Sequence, residues 1–598
     1  MAICSPSDVR QVRSGSRARA GLVASAVLAI LAGCSPFGGV LTKEGTAPDF
    51  LIQHVPGEGT VPYSVDLGTG PHSVFFAFTN PSSQVSAPAL PAVSGGNGSR
   101  SVRPLTPVTA LASTVAPTPD RVMRFNQDPF RQGPFQRVGS RQIPTATHPR
   151  RDPTLPEGPD QVGEESNSWF DVGADNTVYG VPSTCRYVSP QPVDTASGQR
   201  SLSIWVANDC WDGLKSRTVT QPMVDALASR FLTPGPSNDI YDWVCGMLGE
   251  EWGPHDGQDL IPPDQRITIL LLDIQNDDST QGGVIGYYWA KDNFRDSSVY
   301  DPDPTSPSYF PVHSHQRIMF YVDAVMYANA EGGSWSPEGH WPCQVFSALA
   351  HELQHMVNFY QKTVRHGLRR GCDPWINEMT SQCVEDLVAD KLGTAGPRGV
   401  NPQDGSSGPG GNTSGRIPVF NADPMVSLSD WGAASSPASY AATYAFGAYL
   451  VRNYGGAALL RAMVQSPQTD STQILDAVRS VTGRSETLSS LLSKWGIAVL
   501  LSDRTDAPVG YQYNVGGFFG SSVDGLSYRA GSMDFYKYQQ AGSTGGEGPA
   551  LYSGMGLVGE RIPGPTSETL FEACKDSGGA VSWTIDVPKG MELTVLVR

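Results

Sequence analysis

Runs of β-branched and aromatic residues bounded by turn residues predict strands over the middle of the chain. The strand candidates are Ser203–Ala207, Thr268–Ile274, Val284–Trp289 and Arg317–Asp323. Apolar positions then recur with helical spacing from Cys343 to Leu392 and from Ser439 to about Ser502, and a Gly-rich loop at Gly405–Gly415 separates the two regions. Strands followed by helices predict an α+β fold.

The pattern changes towards both ends of the chain. Short strand-like stretches separated by turn residues occur from Ala47 to Asn80 and again after Asp506, and they predict a small β module at each end. Between about Ser82 and Glu165 the chain is rich in Pro, Ser, Gly and Arg, which predicts a flexible linker. A chain of 598 residues is too long for one hydrophobic core. We therefore divide it into a signal segment at 1–34, a β module at 35–81, a linker at 82–165, a central α+β domain at 166–505 and a C-terminal β module at 506–598.

The first residues of the chain have the layout of an export signal. Four arginines precede an apolar run from Ala20 to Ala32, which is too short for a comfortable membrane span. The run ends in Leu31-Ala32-Gly33-Cys34, which resembles the lipobox of bacterial lipoproteins. The resemblance implies cleavage before Cys34, acyl chains such as palmitate on that residue, and a lipid anchor. Ser35 favours the bacterial outer membrane within the cell envelope. The alternative is an ordinary secretory signal with an incidental cysteine.

Charge and cysteine content narrow the class of protein further. The formal net charge of −16 argues against nucleic acid as a partner, because phosphate binding needs clustered Lys and Arg. Seven of the nine cysteines follow Cys34, and an odd number leaves at least one unpaired. Cys185 and Cys210 flank a predicted hairpin and are the first candidate disulfide pair, since an exported protein can oxidise its thiols.

The strongest chemical signal is the sequence His351-Glu352-Leu353-Gln354-His355. Residues four apart lie on one face of a helix, so both imidazoles can reach a single cation. Glu352 is placed to take a proton from water rather than to bind metal. The alternative is an amphipathic helix with two unrelated histidines.

Zinc needs a third protein ligand, and Glu378 is the candidate. Asp373 and Pro374 open a second predicted helix as N-cap and first helical residue, and Glu378 lies in its first turns. An antiparallel second helix would carry this carboxylate back to the metal. The alternative is that Glu378 is only a favourable charge near a helix N-terminus.

These motifs together resemble the hyicolysin family of metallopeptidases, which are zincins with a glutamate as third ligand. The resemblance covers roughly residues 181–501. It rests on the segments His351–Phe359, Trp375–Glu378, Ile269–Ile274, Gly286–Tyr288, Phe320–Asp323, Tyr444–Leu450 and Asn453–Gly455. It implies a zincin-like fold, in which a twisted sheet packs on the His351 helix above a helical lower subdomain. It also implies Zn²⁺ ligation by His351, His355 and Glu378, with Glu352 as catalytic base.

Four further positions bear on this site. The family usually has Gly after the ligand glutamate, whereas this chain has Met379, which either crowds the metal side or packs in the core. Glu385 could orient a ligand histidine or be a solvated surface charge. Tyr440 and Tyr444 lie four apart on a predicted helix, and either could stabilise the oxyanion or belong to a core stripe. We take Tyr444 as the candidate.

The sequence therefore predicts a zinc-dependent endopeptidase that cleaves protein or peptide substrates outside the cytoplasm. The alternative from another class is a non-catalytic surface lipoprotein, with a binding or adhesive role, on a zincin scaffold.

Overall fold

The computed structural model describes the greater part of the chain. The described residues are 50–83, 90–96, 116, 118–130, 158–306, 308–368, 370–394, 396–399, 415–431, 436–542, 546–553 and 563–598. The predicted signal segment, Cys34 and most of the predicted Gly-rich loop lie outside these residues. No helix of the described residues is long and apolar enough to cross a membrane.

The described strands are short to medium in length. They are β1 Leu51–Val55, β2 Gly59–Asp66, β3 His72–Asn80, β4 Ala92–Gly95, β5 Glu165–Ser166, β6 Phe170–Val172, β7 Val178–Gly180, β8 Ser183–Val188, β9 Val193–Thr195, β10 Gly198–Ala207, β11 Arg266–Leu272, β12 Gly286–Tyr287, β13 Ile318–Asp323, β14 Phe518–Val523, β15 Leu526–Gly531, β16 Tyr552–Ser553, β17 Ser567–Ser577, β18 Ala580–Val587 and β19 Glu592–Val597.

The described α-helices cluster in the second half of the central region. They are α1 Asp120–Gln127, α2 Asn208–Trp211, α3 Gln221–Phe231, α4 Ile240–Leu248, α5 Asp296–Val299, α6 Ala324–Tyr327, α7 His340–Asn358, α8 Pro374–Leu392, α9 Arg416–Ala422, α10 Ser436–Asn453, α11 Ala457–Val464, α12 Thr472–Thr482 and α13 Leu488–Leu500.

A mixed sheet forms the upper half of the central region, with strand order β12-β13-β11-β10-β8-β5. β10, β11 and β13 run parallel, and their continuous apolar sequences are buried on both faces, as parallel strands require. β12 lies at the edge and pairs antiparallel with β13. Each of the four predicted strand candidates overlaps one of these strands, so the mixed α+β prediction is confirmed at this level.

The long helices form the layer beneath the sheet. α7 packs against α4, α6, α8 and β12, and α8 packs in turn against α10. Pro342 lies in the first turn of α7, where its missing N–H costs nothing. α8 begins with Asp373 at the N-cap and Pro374 as its first residue, as predicted.

The strands of the two predicted end modules pair with one another. β3 from the N-terminal end lies between β19 and β17 from the C-terminal end, in a sheet of order β1-β19-β3-β17-β16. A second sheet, β2-β18-β4, packs on it around a shared apolar core. The first sheet also packs against α13. The structure therefore differs from a division into two separate end modules, because long-range pairing unites them.

Parts of the predicted linker and parts of the predicted C-terminal module also pack against other regions of the protein. β4 lies in the linker range and joins the second end sheet, while α1 packs against the central domain. β14 and β15 lie beyond residue 505 but pack against α11 and α8.

The predicted Cys185–Cys210 disulfide is wrong for this structure, where the seven cysteines of the described residues are free thiols. β8 pairs antiparallel with β10 and places Cys185 opposite Trp205. Cys210 falls beyond the end of β10, in α2. The Cys185 thiol instead donates to the Tyr187 carbonyl at 3.4 Å.

Candidate metal centre

The side chains of His351, His355 and Glu378 converge between α7 and α8. One potential ligand atom from each residue lies within 4.8 Å of the others, and all three residues are buried. His351 Nε2 lies 3.1 Å from Glu378 Oε2, and His355 Nε2 lies 3.5 Å from Glu378 Oε1. Successive turns of α7 present the two imidazoles on one face, and the start of α8 brings the carboxylate to them. The structure thus brings together the three residues that the sequence predicts as metal ligands.

The electrostatics of this cluster favour a bound positive charge. Burial alone would raise the pKa of Glu378, but the charges and hydrogen bonds of His355 and His351 hold it well below its usual value. Burial alone would lower the pKa of His351, but the hydrogen bonds that its ring donates to Glu378 and Glu385 outweigh burial and raise the pKa well above its usual value. The carboxylates therefore compensate a cation in this buried site, whether it is a proton on imidazole or a metal ion.

The donor set fits zinc. Two imidazole nitrogens and one carboxylate oxygen are a common set of three protein ligands for Zn²⁺, with a fourth position left for water or substrate. Glu385 lies behind His351, since its Oε1 is 2.7 Å from His351 Nδ1. Ser347 donates to the other oxygen of Glu385 at 2.7 Å. With Nδ1–H held by Glu385, the Nε2 lone pair faces the cluster.

Glu352 lies beside the cluster without joining it. Its side chain is buried, and its Oε2 accepts a hydrogen bond of 2.7 Å from the backbone N–H of Tyr288. Burial raises the pKa of Glu352, and the charge of Glu378 adds to this, while His355 and His351 act against it. A carboxylate with a raised pKa is a better proton acceptor near neutral pH.

The hydroxyl of Tyr444, the residue that the sequence suggested for stabilising the oxyanion, does not lie among the metal ligands. This hydroxyl points to the Met533 sulfur at 3.7 Å, and its charged neighbours are Asp386 and Arg452 rather than the metal ligands. The Tyr440 hydroxyl is instead influenced by the charges of Glu378 and Glu352. The four-residue spacing could not separate them, because α10 is buried over most of its surface.

The Tyr440 hydroxyl faces the cluster and remains protonated. Burial raises its pKa well above the usual value, the charges of Glu378 and Glu352 raise it further, and Arg416 partly offsets them. The Arg416 guanidinium lies 4.9 Å from the centre of the Tyr440 ring. Sequence reasoning missed Arg416, because it lies just after a Gly-rich stretch that gives no local signal of a site.

Met379 does not crowd the metal side. It is 1% exposed and packs in the core against α10. A Cβ atom built on Gly447 would lie 2.6 Å from Met379 Cγ. The absence of a side chain at Gly447 therefore makes room for the larger residue that follows Glu378.

A small cavity lined by described residues lies next to the ligand cluster. It has a volume of about 20 Å³, which is room for roughly one water molecule. Its lining comes from α7, α8, the Tyr288 segment and α1: Thr118, Met123, Asn126, Gln127, Tyr288, His355, Cys372, Pro374, Asn377 and Glu378. No local sequence pattern indicates that α1 reaches this site, since the composition of its range is typical of a linker.

The chain is similar to a known metalloprotease. A neutral metalloprotease, ShpI, from Staphylococcus hyicus is 24% identical over 312 residues, which are 51% of this chain and 58% of that protein. The chain thus matches less than two thirds of the length of this relative.

Solved structures give only a distant likeness. An M1 zinc metallopeptidase from Deinococcus radiodurans has a TM-score of 0.25 and 13% identity, over 55% of this chain and 56% of that one. A two-domain M1 zinc metallopeptidase bound to L-tryptophan has a TM-score of 0.29 and 13% identity, over 56% and 60%.

The family model gives the most extensive match. The model of peptidase M30 matches residues 184–525, which include the central sheet, the paired helices and the His351–His355–Glu378 cluster. The chain belongs to the peptidase M30 family.

Proposed function

We propose that this protein is a zinc-dependent endopeptidase that hydrolyses protein or peptide substrates outside the cytoplasm. His351, His355 and Glu378 would hold the zinc ion, and Glu352 would be the general base. The observation that carries this proposal is the convergence of three buried donor side chains beside a fourth, non-ligating carboxylate.

A zinc ion in this position would polarise the scissile carbonyl and lower the pKa of the attacking water. Glu352 accepts the proton of that water and passes it to the leaving amine. The hydrogen bond from Tyr288 N–H holds the carboxylate in place. Glu385 keeps the His351 ring in the orientation and tautomer that a ligand needs.

Tyr440 supplies a neutral hydroxyl for the negative charge that develops on the carbonyl oxygen. Its raised pKa keeps the proton on the hydroxyl, so the group is a donor throughout the reaction. Arg416 against its ring adds positive charge on the same side of the site.

The location follows from the N-terminal sequence. An export signal that ends at Cys34 would place the protein in the cell envelope, with acyl chains on Cys34 anchoring it to a membrane, in bacteria the outer one. The central domain would then act outside the cytoplasm. Mass spectrometry of the N-terminal peptide from exported protein tests for this modification, and an unacylated Cys34 contradicts it.

The direct test compares the parent chain from residue 35 onward with Glu352→Gln. We expect one zinc per chain in both and cleavage of casein only by the parent, with a loss in kcat of about 10²–10⁴-fold in the variant. Glu338→Gln, an exposed change far from the cluster, is the matched control and keeps parent activity. Retained activity in Glu352→Gln would contradict its role. Absence of zinc from the parent would overturn the site.

A further inference from the structure

Residues 116 and 118–130 lie beside the metal centre, although the composition of their range is typical of a linker. Thr118, Met123, Asn126 and Gln127 line the cavity that also touches His355 and Glu378. The described residues leave a volume of about 20 Å³ in this cavity, enough for roughly one water. The segment therefore occupies space directly beside the ligand cluster.

Asn126 satisfies the backbone of the sheet edge next to the site. Its Nδ2 donates to the Tyr288 carbonyl at 2.7 Å, and its Oδ1 accepts from Ala290 N–H at 2.8 Å. Among the described strands, β12 pairs only with β13, so the chain leaving β12 presents an open edge. An exposed sheet edge binds an extended peptide through such backbone groups. Asn126 therefore occupies the two hydrogen-bonding groups, the Tyr288 carbonyl and the Ala290 N–H, that the backbone of a bound peptide would need.

The beginning of the segment uses the same edge. Ala116 N–H donates to the Gly283 carbonyl at 2.7 Å and forms a parallel bridge with Val284. Two residues later, the Thr118 hydroxyl interacts with the hydroxyl of Tyr440. The segment thus covers the sheet edge, the ligand cluster and the tyrosine that would stabilise the oxyanion.

Phe125 anchors the segment in an aromatic pocket. It is fully buried, and its ring centre lies 5.9 Å from that of Phe294 and 5.2 Å from that of Phe310. At the end of the helix, Gly371 N–H donates to the Gln127 carbonyl at 2.6 Å. A Cβ at Gly371 would lie 2.7 Å from the Asn126 carbonyl oxygen, so glycine allows this close approach.

We propose that the segment formed by residues 116 and 118–130 occupies the substrate cleft as an internal competitive inhibitor, and that peptide substrate binds only after this segment is displaced. The proposal rests on the proposed peptidase function for the identity of the cleft. α1 has eight residues, too few for a stable isolated helix, so its order depends on docking. Weakening the docking contacts therefore frees the cleft without unfolding the sheet or α7.

The test uses Asn126→Ala and Phe125→Ala in the chain from residue 35 onward. Asn126→Ala removes two hydrogen bonds of ordinary strength, and we expect kcat/KM on a quenched peptide to rise about tenfold. Phe125→Ala should raise it at least as much. Asn80→Ala is the matched control, because Asn80 also donates to backbone carbonyls and accepts from a backbone N–H, but on β3 of the end sheets. It should leave kcat/KM unchanged.

A second readout needs neither zinc nor turnover. In metal-free protein, diethyl pyrocarbonate should modify His355 faster in both α1 variants than in the parent or in Asn80→Ala, measured by mass spectrometry. A synthetic peptide of residues 116–130 should slow this modification and compete with substrate.

The outcomes separate this inference from the proposed function. Faster modification of His355 without hydrolysis in any variant supports the displaced segment and contradicts the peptidase function. Hydrolysis by the parent, with modification and kcat/KM unchanged in both α1 variants, supports the peptidase and overturns the inhibitor. A fall in kcat/KM in both variants, with intact thermal unfolding, also overturns it.

Discussion

Two buried glutamates, Glu378 in the metal centre and Glu568 in the end sheets, have pKa values shifted in opposite directions at similar burial. They are 4% and 1% exposed, respectively. His355 and His351 hold the pKa of Glu378 well below its usual value despite burial. Burial raises the pKa of Glu568 well above its usual value, and the Thr79 hydroxyl offsets this only in part. The neighbouring side chains, rather than the degree of burial, therefore decide in which direction the pKa of each carboxylate shifts.

The surroundings of Glu568 explain its neutral form. Its side chain lies where β17 meets α13, and a Cβ on Gly496 would lie 2.6 Å from its Oε2. The described residues offer it no ion pair, whereas Glu378 has two histidines. A charged carboxylate is stable at the metal centre because that centre is arranged for a cation. At the contact between the end sheets and the central domain, a protonated carboxyl costs less than a charged one.

The largest contrast should come from neutralising each glutamate. Glu378→Gln removes a metal ligand, and we expect a loss of zinc affinity above 100-fold together with loss of peptidase activity. Glu568→Gln replaces an already neutral group by one of similar shape, so zinc affinity and activity should match the parent. Zinc titration with a competing chelator measures both. Equal zinc affinities in the two variants would contradict the assignment of Glu378, and not Glu568, to the metal centre.

Substitution of the two tyrosines of α10 tests which of them belongs to the metal centre. Tyr440→Phe removes the donor facing Glu378 and Glu352, and we expect kcat to fall by about 10²–10³-fold. Tyr444→Phe removes a hydroxyl that contacts only the Met533 sulfur among the described residues, so kcat should stay near that of the parent. Steady-state kinetics at saturating peptide decides between them. A larger loss for Tyr444→Phe would restore the prediction made from sequence.

Sequence reasoning located the metal centre because its signals are local. His351 and His355 share a helix face by spacing, and Pro374 fixes the start of the helix that carries Glu378. The distinction between Tyr440 and Tyr444 depends on what surrounds α10 in three dimensions. A helix that is buried on most sides has no hydrophobic periodicity that would show which of the two tyrosines faces the metal centre.

The features that could not be predicted from the sequence depend on contacts between residues far apart in the chain. β1 pairs with β19, more than five hundred residues away, and no local pattern records such a partner. α1 lies in a stretch whose composition is typical of a linker, and its contacts with the Tyr288 segment and with Phe294 are long-range. The site of Glu568 follows from the same long-range pairing, so the sequence could not identify it either.

A smaller effect is expected at Glu385, which positions His351. Glu385→Gln keeps the shape but loses the charge behind Nδ1, and we expect zinc affinity to fall by about 10–100-fold. Ser347→Ala, which removes only the hydrogen bond to the other oxygen of Glu385, should have a weaker effect of the same sign. Unchanged affinity in both variants would show that the His351 ring needs no support from α8.

The smallest effect is a change in how stability depends on pH. Because the folded-state pKa of Glu568 is raised, the folded protein binds its proton when the unfolded chain has lost it, above about pH 4.5. This group therefore makes stability fall as pH rises, by at most about 1.4 kcal/mol per pH unit. Glu568→Gln removes that slope, so the variant should gain Tm relative to the parent between pH 5 and 8. Parallel Tm curves would contradict a neutral Glu568.

X-ray absorption at the zinc edge tests the central claim most directly. Zinc-loaded protein should show two imidazole nitrogens at about 2.0–2.1 Å and carboxylate oxygen at about 2.0–2.2 Å, with no sulfur ligand. His355→Ala should lose this signal. A shell near 2.3 Å, typical of thiolate, or an unchanged spectrum in His355→Ala would contradict a metal centre built from His351, His355 and Glu378.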